Sequence, residues 1–213
     1  MKIKVCGLKD PENIKAVAAL APDYMGFICY NLTPRFIDAL APDTLATLPK
    51  TIYKTGVFVN EGIETVNTLI NTFKFNAVQL HGNESSEYCN ELKSKVQVLK
   101  AFGLDANFDF ERLKPYANSV DFFLFDTKTD IYGGSGKTFD WSILDKYKLG
   151  IPFFLSGGIS LDNLEEIKKI NHPQFYGIDL NSRFEIEPGI KDIEKLEKAF
   201  TMIKQFDTHE IRS

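Results

Sequence analysis

Eight short apolar segments, each followed by a helical pattern, limit the fold more than any other feature of this 213-residue sequence. The segments are dense in Val, Ile and Phe, which are residues typical of β-strands. Strands that are apolar on both faces indicate a parallel sheet with helices covering both sides. The eight predicted strands span residues 2–6, 24–30, 52–59, 75–80, 96–101, 120–126, 151–155 and 175–180.

Eight consecutive strand–helix units predict one closed α/β barrel. Short connections and right-handed crossovers place sequential parallel strands side by side. Eight such units close into a (β/α)8 TIM barrel more readily than they form an open sheet. The barrel domain is expected to span residues 1–205, with Leu196, Phe200 and Ile203 on one face of its last helix. Residues 206–213 are expected to form a frayed C-terminal tail.

The predicted helix starts follow capping preferences. Asp10 before Pro11 is a typical N-cap with proline at the first helical position. We likewise expect Asn60 to cap the helix after the third strand and a further helix to open near Ser160. Shorter helices are predicted over residues 107–116 and 140–147.

Composition excludes several classes of protein. A net charge of −4 without a long basic run argues against binding of nucleic acid through a basic face. The sequence lacks the run of roughly 18 apolar residues that a membrane span needs. Three scattered cysteines without CxxC spacing argue against disulfides and zinc, and favour a reducing cytoplasm. No acidic and histidine cluster has metal-site spacing, so a metal is not expected.

Two consecutive loops near the end of the chain predict a phosphate site. The seventh strand leads into Gly157 and Gly158, and the eighth ends at Asn181 and Ser182. Glycine lets the backbone turn sharply and lie close to an anion. In a (β/α)8 barrel the loops after the seventh and eighth strands commonly bind phosphate.

Cys6, at the end of the first strand, is a candidate base. Strand alternation places Lys4 and Cys6 on one face and the apolar Ile3 and Val5 on the other, so the thiol should point into the barrel. The positive charge of Lys4 would favour the thiolate. The alternative is that Cys6 only packs as a small buried side chain.

Other polar residues lie where strands end, the position of active groups in such barrels. Asp126 follows four apolar residues, which favour a neutral carboxyl and would suit a general acid, although a structural hydrogen bond is the alternative. The Arg35 guanidinium could hold a carboxylate through two parallel hydrogen bonds. His81 could bind a ligand or take part in proton transfer, and Asp179 is a further carboxylate at a strand end. Solvated or structural roles remain open for Arg35 and His81.

The glycine-rich segment from Tyr132 to Lys137 is similar to the end of a Walker A loop only superficially. The first glycine of that motif would fall at position 131, which is Ile131. We expect this segment to act instead as a lid over the barrel mouth.

Nine segments, in order over nearly the whole chain, together resemble the phosphoribosylanthranilate isomerase family of tryptophan biosynthesis. Each segment is weak alone, but the ordered set is specific. They are Lys4-Val5-Cys6-Gly7, Gly26-Phe27-Ile28, Thr33-Pro34-Arg35, Gly56-Val57-Phe58-Val59-Asn60, Val78-Gln79-Leu80-His81-Gly82, Phe125-Asp126-Thr127, residues 133–141, Ser156-Gly157-Gly158-Ile159 and Glu187-Pro188-Gly189-Ile190-Lys191-Asp192.

The resemblance implies an Amadori rearrangement of N-(5-phosphoribosyl)anthranilate without metal or organic cofactor. By similarity, Asp126 would be the general acid and Cys6 the general base, and Arg35 would hold the anthranilate carboxylate. It also implies that His81 and Asp179 contact substrate. The implied phosphate ligands are Gly157, Gly158, Asn181 and Ser182. The expected partner is a small phosphosugar, bound by a monomer or homodimer.

One position departs from the family pattern, and two alternatives stay open. Arg183 stands where the family usually has glycine, so either the loop differs or Arg183 adds a cation near the phosphate. Another phosphosugar barrel, such as a histidine-pathway isomerase or a pentose-phosphate epimerase, is the nearest alternative. A non-catalytic phosphate-binding barrel is the second.

Overall fold

The computed structural model describes residues 1–127 and 140–209, with side chains as far as residue 206, and these form a closed eight-stranded parallel barrel. Each strand pairs with the next in sequence, and β8 pairs with β1 to close the ring. This confirms the predicted fold class. The strands are β1 Lys2–Cys6, β2 Tyr24–Ile28, β3 Tyr53–Phe58, β4 Ala77–Leu80, β5 Gln97–Leu104, β6 Phe122–Thr127, β7 Phe153–Leu155 and β8 Phe175–Leu180.

Two apolar layers hold the barrel together. The larger one lies between the strands and the surrounding helices, and the smaller one fills the barrel interior, where Tyr24 meets Phe122 and Phe154 edge to face. Alternation along each strand separates the two layers, because successive side chains point to opposite faces. The interior above the aromatic layer is polar, with Lys4, Gln79 and Asp179 buried near the carboxyl ends of the strands.

Helices α1 Pro11–Ala19, α2 Pro42–Ala46, α3 Ile63–Phe73, α4 Ser86–Lys93 and α5 Ile193–His209 surround the barrel. Asp10 caps α1 as predicted, accepting a hydrogen bond of 2.8 Å from the Asn13 N–H. In the described residues, 3₁₀ helices stand in place of α-helices after β5, β6 and β7, and a fourth 3₁₀ helix follows β8 ahead of α5. These are Phe110–Tyr116, Trp141–Lys146, Leu164–Lys169 and Ser182–Phe184.

Two predicted helix starts are wrong. Gly62, not Asn60, is the N-cap of α3, because Asn60 adopts a left-handed conformation with φ 53° and its Oδ1 accepts from the Asn83 N–H at 2.6 Å. The helix expected near Ser160 begins only at Leu164. The Asn163 side chain bridges the intervening turn, bonding to the Ser160 N–H and the Gly158 carbonyl.

The end of the chain differs in detail from expectation. A hairpin of β9 Glu185–Glu187 and β10 Ile190–Lys191, which the sequence pattern did not predict, follows β8. Helix α5 then continues to His209, past the predicted end of the domain at residue 205, and the domain boundary itself stays a prediction. The proposed lid over residues 132–137 lies outside the described residues. Across the described helices, none combines the length and apolar character needed to cross a membrane.

Closure of the barrel requires Gly177. A Cβ added there would lie 2.5 Å from the Lys2 carbonyl oxygen and 2.8 Å from the Phe154 ring. We therefore expect Gly177→Ala to force β1 and β8 apart and to lower the free energy of unfolding by about 1–3 kcal/mol in urea titrations. Gly150→Ala is the control, because a Cβ there meets nothing within 4 Å. Equal stabilities of the two variants would contradict this account of the seam.

Candidate active site

A cavity opens at the carboxyl ends of the strands, and it collects every predicted site residue except Arg35. Strands β1, β2, β4, β6, β7 and β8 or the loops after them supply the polar lining. These polar residues include Cys6, His81, Asp126, Gly157, Gly158, Asp179, Asn181 and Ser182. Groups far apart in sequence therefore face one space, as parallel strand order demands in a closed barrel.

The loop after β7 has the geometry of an anion site. Gly157 and Gly158 have φ values of 86° and 65°, a region that favours glycine. A Cβ on Gly157 would lie 2.4 Å from the Thr127 hydroxyl, so the loop packs tightly on the end of β6. No described residue accepts a hydrogen bond from the N–H of Gly157 or Gly158. Backbone N–H groups so arranged are suited to an anion.

The loop after β8 tolerates Arg183 because its conformation is ordinary. Ser182–Phe184 form one 3₁₀ turn, and Arg183 does not adopt a positive φ. The Arg183 side chain is exposed, while Ser182 and Asn181 face the cavity. The loop therefore does not need the glycine that the family pattern has at this position.

Cys6 is buried at the end of β1, and glycine makes room for it. A Cβ on Gly26 would lie 2.6 Å from the Cys6 Sγ. Burial raises the pKa of the Cys6 thiol above its ordinary value, and the nearby positive charges of Lys4 and Lys191 offset only part of this effect. The predicted influence of Lys4 has the right sign, but burial outweighs it.

Lys4 and Asp179 form a buried ion pair beside the thiol. The Lys4 Nζ donates to the Asp179 Oδ1 at 2.9 Å, and both side chains are almost fully buried. They are register partners across the β1–β8 seam. A buried ion pair of this kind fixes the position of both side chains, because separating them would leave an unpaired charge in the interior.

Arg35 belongs to a second buried charge network. Its Nε and Nη2 donate to Glu185 at 3.0 and 2.6 Å, and Lys191 donates to the same carboxylate at 2.7 Å. Lys191 also donates to the Asn181 Oδ1 at 2.8 Å. Burial alone would raise the pKa of Glu185, but the neighbouring Arg35 and Lys191 hold this pKa below its ordinary value. The network thus links Arg35 to the loop after β8.

Asp126 and His81 meet across the cavity mouth. The Asp126 Oδ1 accepts from the Thr127 N–H at 2.8 Å, and its Oδ2 lies 3.5 Å from the His81 Nε2. Gln79 lies behind the imidazole, with its Nε2 2.7 Å from the His81 Nδ1. Asp126 therefore has one anchored oxygen and one that faces the imidazole and the cavity.

Buried charged side chains fix the loop after β4. Lys100 donates to the Gly82 carbonyl at 2.8 Å and contacts Glu84 at 3.2 Å. Glu84 in turn accepts from the N–H groups of Gly82 and Asn60. Because Gly82 follows His81 directly, this network fixes the backbone that carries the imidazole.

Within residues 1–127 and 140–209, no group of three or more His, Cys, Asp or Glu side chains is placed to hold a metal ion. The site consists instead of a thiol, carboxyl groups, an imidazole and backbone N–H groups.

Comparison with known proteins agrees with this architecture. A family model described as "PRAI: N-(5'phosphoribosyl)anthranilate (PRA) isomerase" matches residues 3–202. The chain belongs to this family. It is 49% identical over 206 residues to the N-(5'-phosphoribosyl)anthranilate isomerase of Parabacteroides distasonis, covering 95% of this chain and 93% of that protein.

Solved structures of phosphoribosylanthranilate isomerases superpose on the barrel. The enzyme from Thermus thermophilus gives a TM-score of 0.83 at 28% identity, covering 96% of this chain and 99% of that one. An isomerase in complex with reduced 1-(o-carboxyphenylamino)-1-deoxyribulose 5-phosphate gives 0.77 at 28% identity, covering 94% and 97%. The closed parallel barrel is thus the fold of solved isomerases of this family.

Several residues of this isomerase-family site were not assigned from the sequence. Glu185 and Lys191 lie in or beside a segment that carried the family resemblance, yet neither received a role. Gln79 stood within another such segment. The signal that could have pointed to Lys191 is its place in the pattern Glu-Pro-Gly-Ile-Lys, which follows the predicted phosphate loop.

Loss of the Glu185 charge should destabilise the protein. Glu185→Gln would leave Lys191 without its carboxylate, and breaking one side of a buried ion pair costs about 3–5 kcal/mol. Because the pKa of Glu185 is lowered in the folded state, its contribution is full above the unfolded pKa of about 4.3 and is lost as the pH falls through the folded value. The variant should therefore lose less stability than the wild type on acidification.

Urea unfolding at several pH values, from neutrality to well below the unfolded glutamate pKa of about 4.3, checks this expectation. Glu12→Gln is the matched control, because Glu12 pairs with Lys15 on the exposed face of α1. Its stability should follow that of the wild type at every pH. If Glu185→Gln behaved like Glu12→Gln, the network would not be stabilising.

Proposed function

We propose that this chain converts N-(5'-phosphoribosyl)anthranilate to 1-(2-carboxyphenylamino)-1-deoxyribulose 5-phosphate, with Cys6 as general base and Asp126 as general acid. The observation that carries the proposal is the convergence of a buried thiol, a carboxyl and an anion loop in one cavity. The family membership and the product analogue bound by a solved relative support the substrate class.

The reaction divides into two proton transfers. Asp126 gives a proton to the ring oxygen of the sugar, the bond from that oxygen to C1 breaks, and the anthranilate nitrogen becomes a cationic imine. The thiolate of Cys6 removes the proton from C2, and the electron pair moves into an enolamine. Tautomerisation of the enolamine gives the ketone. The imine cation makes the C2 proton more acidic, so a thiolate base is sufficient.

Separate surroundings suit the two groups to opposite roles. Cys6 has Lys4 and Lys191 as positive neighbours, which favour its anionic form against burial. Asp126 is partly exposed and faces an imidazole. A base and an acid held in different surroundings keep their protonation states apart, as enzymes that use two such groups require.

The two ends of the substrate match the anion-binding groups on either side of the thiol. The phosphate fits the N–H groups of Gly157 and Gly158, with Asn181 and Ser182 beside them. Arg35 is already paired with Glu185 through Nε and Nη2, which leaves the Nη1 N–H groups for the anthranilate carboxylate. In this proposal Glu185 orients the guanidinium while Nη1 binds substrate.

Removal of either catalytic group should abolish most turnover. We expect Cys6→Ala and Asp126→Asn each to lower kcat by about 10²–10⁴-fold, the usual contribution of general acid–base catalysis. Loss of anthranilate-sugar fluorescence measures the rate. Cys29→Ala is the matched control, because Cys29 is also a buried free thiol but does not line the cavity. Full turnover by Cys6→Ala would refute the thiol as base.

The charge of Lys4 should set the pH at which the enzyme becomes active. Because Lys4 lowers the pKa of Cys6 against the effect of burial, Lys4→Met should raise that pKa further. The rising limb of kcat/KM should then move to higher pH, together with the thiolate absorbance in the ultraviolet. Lys2→Met, at the exposed start of the same strand, should change neither. An unmoved limb in Lys4→Met would contradict the electrostatic role.

A further inference from the structure

We propose that Gln79 is a positioning residue that holds His81 in the tautomer with its proton on Nε2, pointing at Asp126. The inference rests on the proposed function and adds a residue to it. Its basis is a chain of three side chains, Gln79, His81 and Asp126, that runs from the barrel interior to the cavity.

Gln79 is an unexpected residue for its place in the fold. It is 2% exposed, and its register partners on the neighbouring strands are the apolar Val57 and Leu99. Its Oε1 has no hydrogen-bond partner among the described residues. Because an unsatisfied buried polar atom costs about 1–3 kcal/mol, an apolar side chain of similar size would be more stable here. A compensating role for the amide is therefore required.

Among the described residues, the hydrogen-bond partner of the amide is the imidazole. The Gln79 Nε2 carries only donor hydrogens, so its approach of 2.7 Å makes the His81 Nδ1 the acceptor. A neutral imidazole whose Nδ1 accepts must carry its proton on Nε2. That nitrogen lies 3.5 Å from the Asp126 Oδ2, so its proton would lie beside the carboxyl.

The opposite orientation of the amide is less favourable. Rotating it would place Oε1 against Nδ1, move the proton to Nδ1 and turn the bare Nε2 lone pair toward the Asp126 carboxylate. Two acceptors would then face each other once Asp126 has given up its proton, and Gln79 would still leave one polar atom unsatisfied. The hydrogen-bond requirements of His81 and Asp126 together select the orientation observed.

This arrangement acts on the step in which Asp126 loses its proton. Once the proton has moved to the sugar ring oxygen, the aspartate is an anion, and the Nε2–H of His81 is aimed at one of its oxygens. Hydrogen bonds to a charge that develops in the reaction favour the transition state over the ground state. Gln79 does not touch the reacting atoms, and its effect passes through His81.

The ¹⁵N chemical shifts of the histidine ring nitrogens test the tautomer directly, since protonated and bare nitrogens differ widely. His172 is an internal reference, because its Nδ1 accepts from the Gln174 N–H at 3.1 Å and must be bare. At a pH where both rings are neutral, we expect His81 to show the same pattern. In Gln79→Glu the new carboxylate can only accept, so Nδ1 of His81 should become protonated while His172 stays unchanged.

Kinetics tests the consequence. Gln79→Met keeps the length of the side chain without the hydrogen bond, and we expect kcat to fall about fivefold, the rate equivalent of one ordinary hydrogen bond, with KM within about twofold. In an Asp126→Asn background the same change should cause no further loss, because the acid it serves is absent. An equal loss in both backgrounds would place the effect of Gln79 elsewhere.

The two proposals can fail separately. A protonated His81 Nδ1 in the wild type, or ring shifts unchanged in Gln79→Glu, would overturn the role of Gln79 even if the enzyme turned over normally. Absence of anthranilate-sugar turnover in the wild type would overturn the proposed function, while the ring shifts would still decide the tautomer.

Discussion

The ion pair between Lys4 and Asp179 is the interaction on which the site depends. It joins the first strand to the last, at the seam where the barrel closes, with an Nζ–Oδ1 distance of 2.9 Å. Two residues beyond Lys4 lies the thiol of Cys6, and two beyond Asp179 lies Asn181 of the phosphate loop. A shift of one strand by a single residue would turn Lys4 or Asp179 to the opposite face of the barrel wall. The strand pairing that closes the barrel therefore also sets the positions of the site residues.

Buried cations and carboxylates are paired at the mouth of the barrel. The described cations Lys4, Lys191 and Arg35 face the carboxylates of Asp179 and Glu185, and all five are largely buried. Each carboxylate orients a neighbouring cation, and the electric field of that cation still reaches the cavity. Because the proposed substrate is an anion at both ends, these cations attract it, and Lys4 and Lys191 also favour the thiolate of Cys6 over the level that burial alone would allow.

Most of the fold could be predicted from local sequence patterns. Eight apolar strands followed from β-propensity and spacing, and their ends placed Cys6, His81 and Asp126 at one edge, because a parallel barrel leaves no other arrangement. The errors arose where tertiary contacts outweigh local preference. Asn60 does not cap α3, because its side chain bonds to Asn83 on the next loop, a contact that no local pattern contains. The pairing of Arg35 with Glu185, 150 residues away, was hidden for the same reason.

In the proposed mechanism the acid and the base lie on different strands, and each has its own polar neighbours. The thiol on β1 requires positive neighbours to become an anion, whereas the carboxyl on β6 must hold a proton and then release it. One shared network would move both groups in the same direction, because a cation that favours the thiolate also favours the carboxylate. Here the cations stand on β1, on β10 and in the loop after β2, whereas His81, hydrogen-bonded to Gln79 of β4, lies beside the carboxyl. The width of the barrel thus separates two electrostatic environments around a single small substrate.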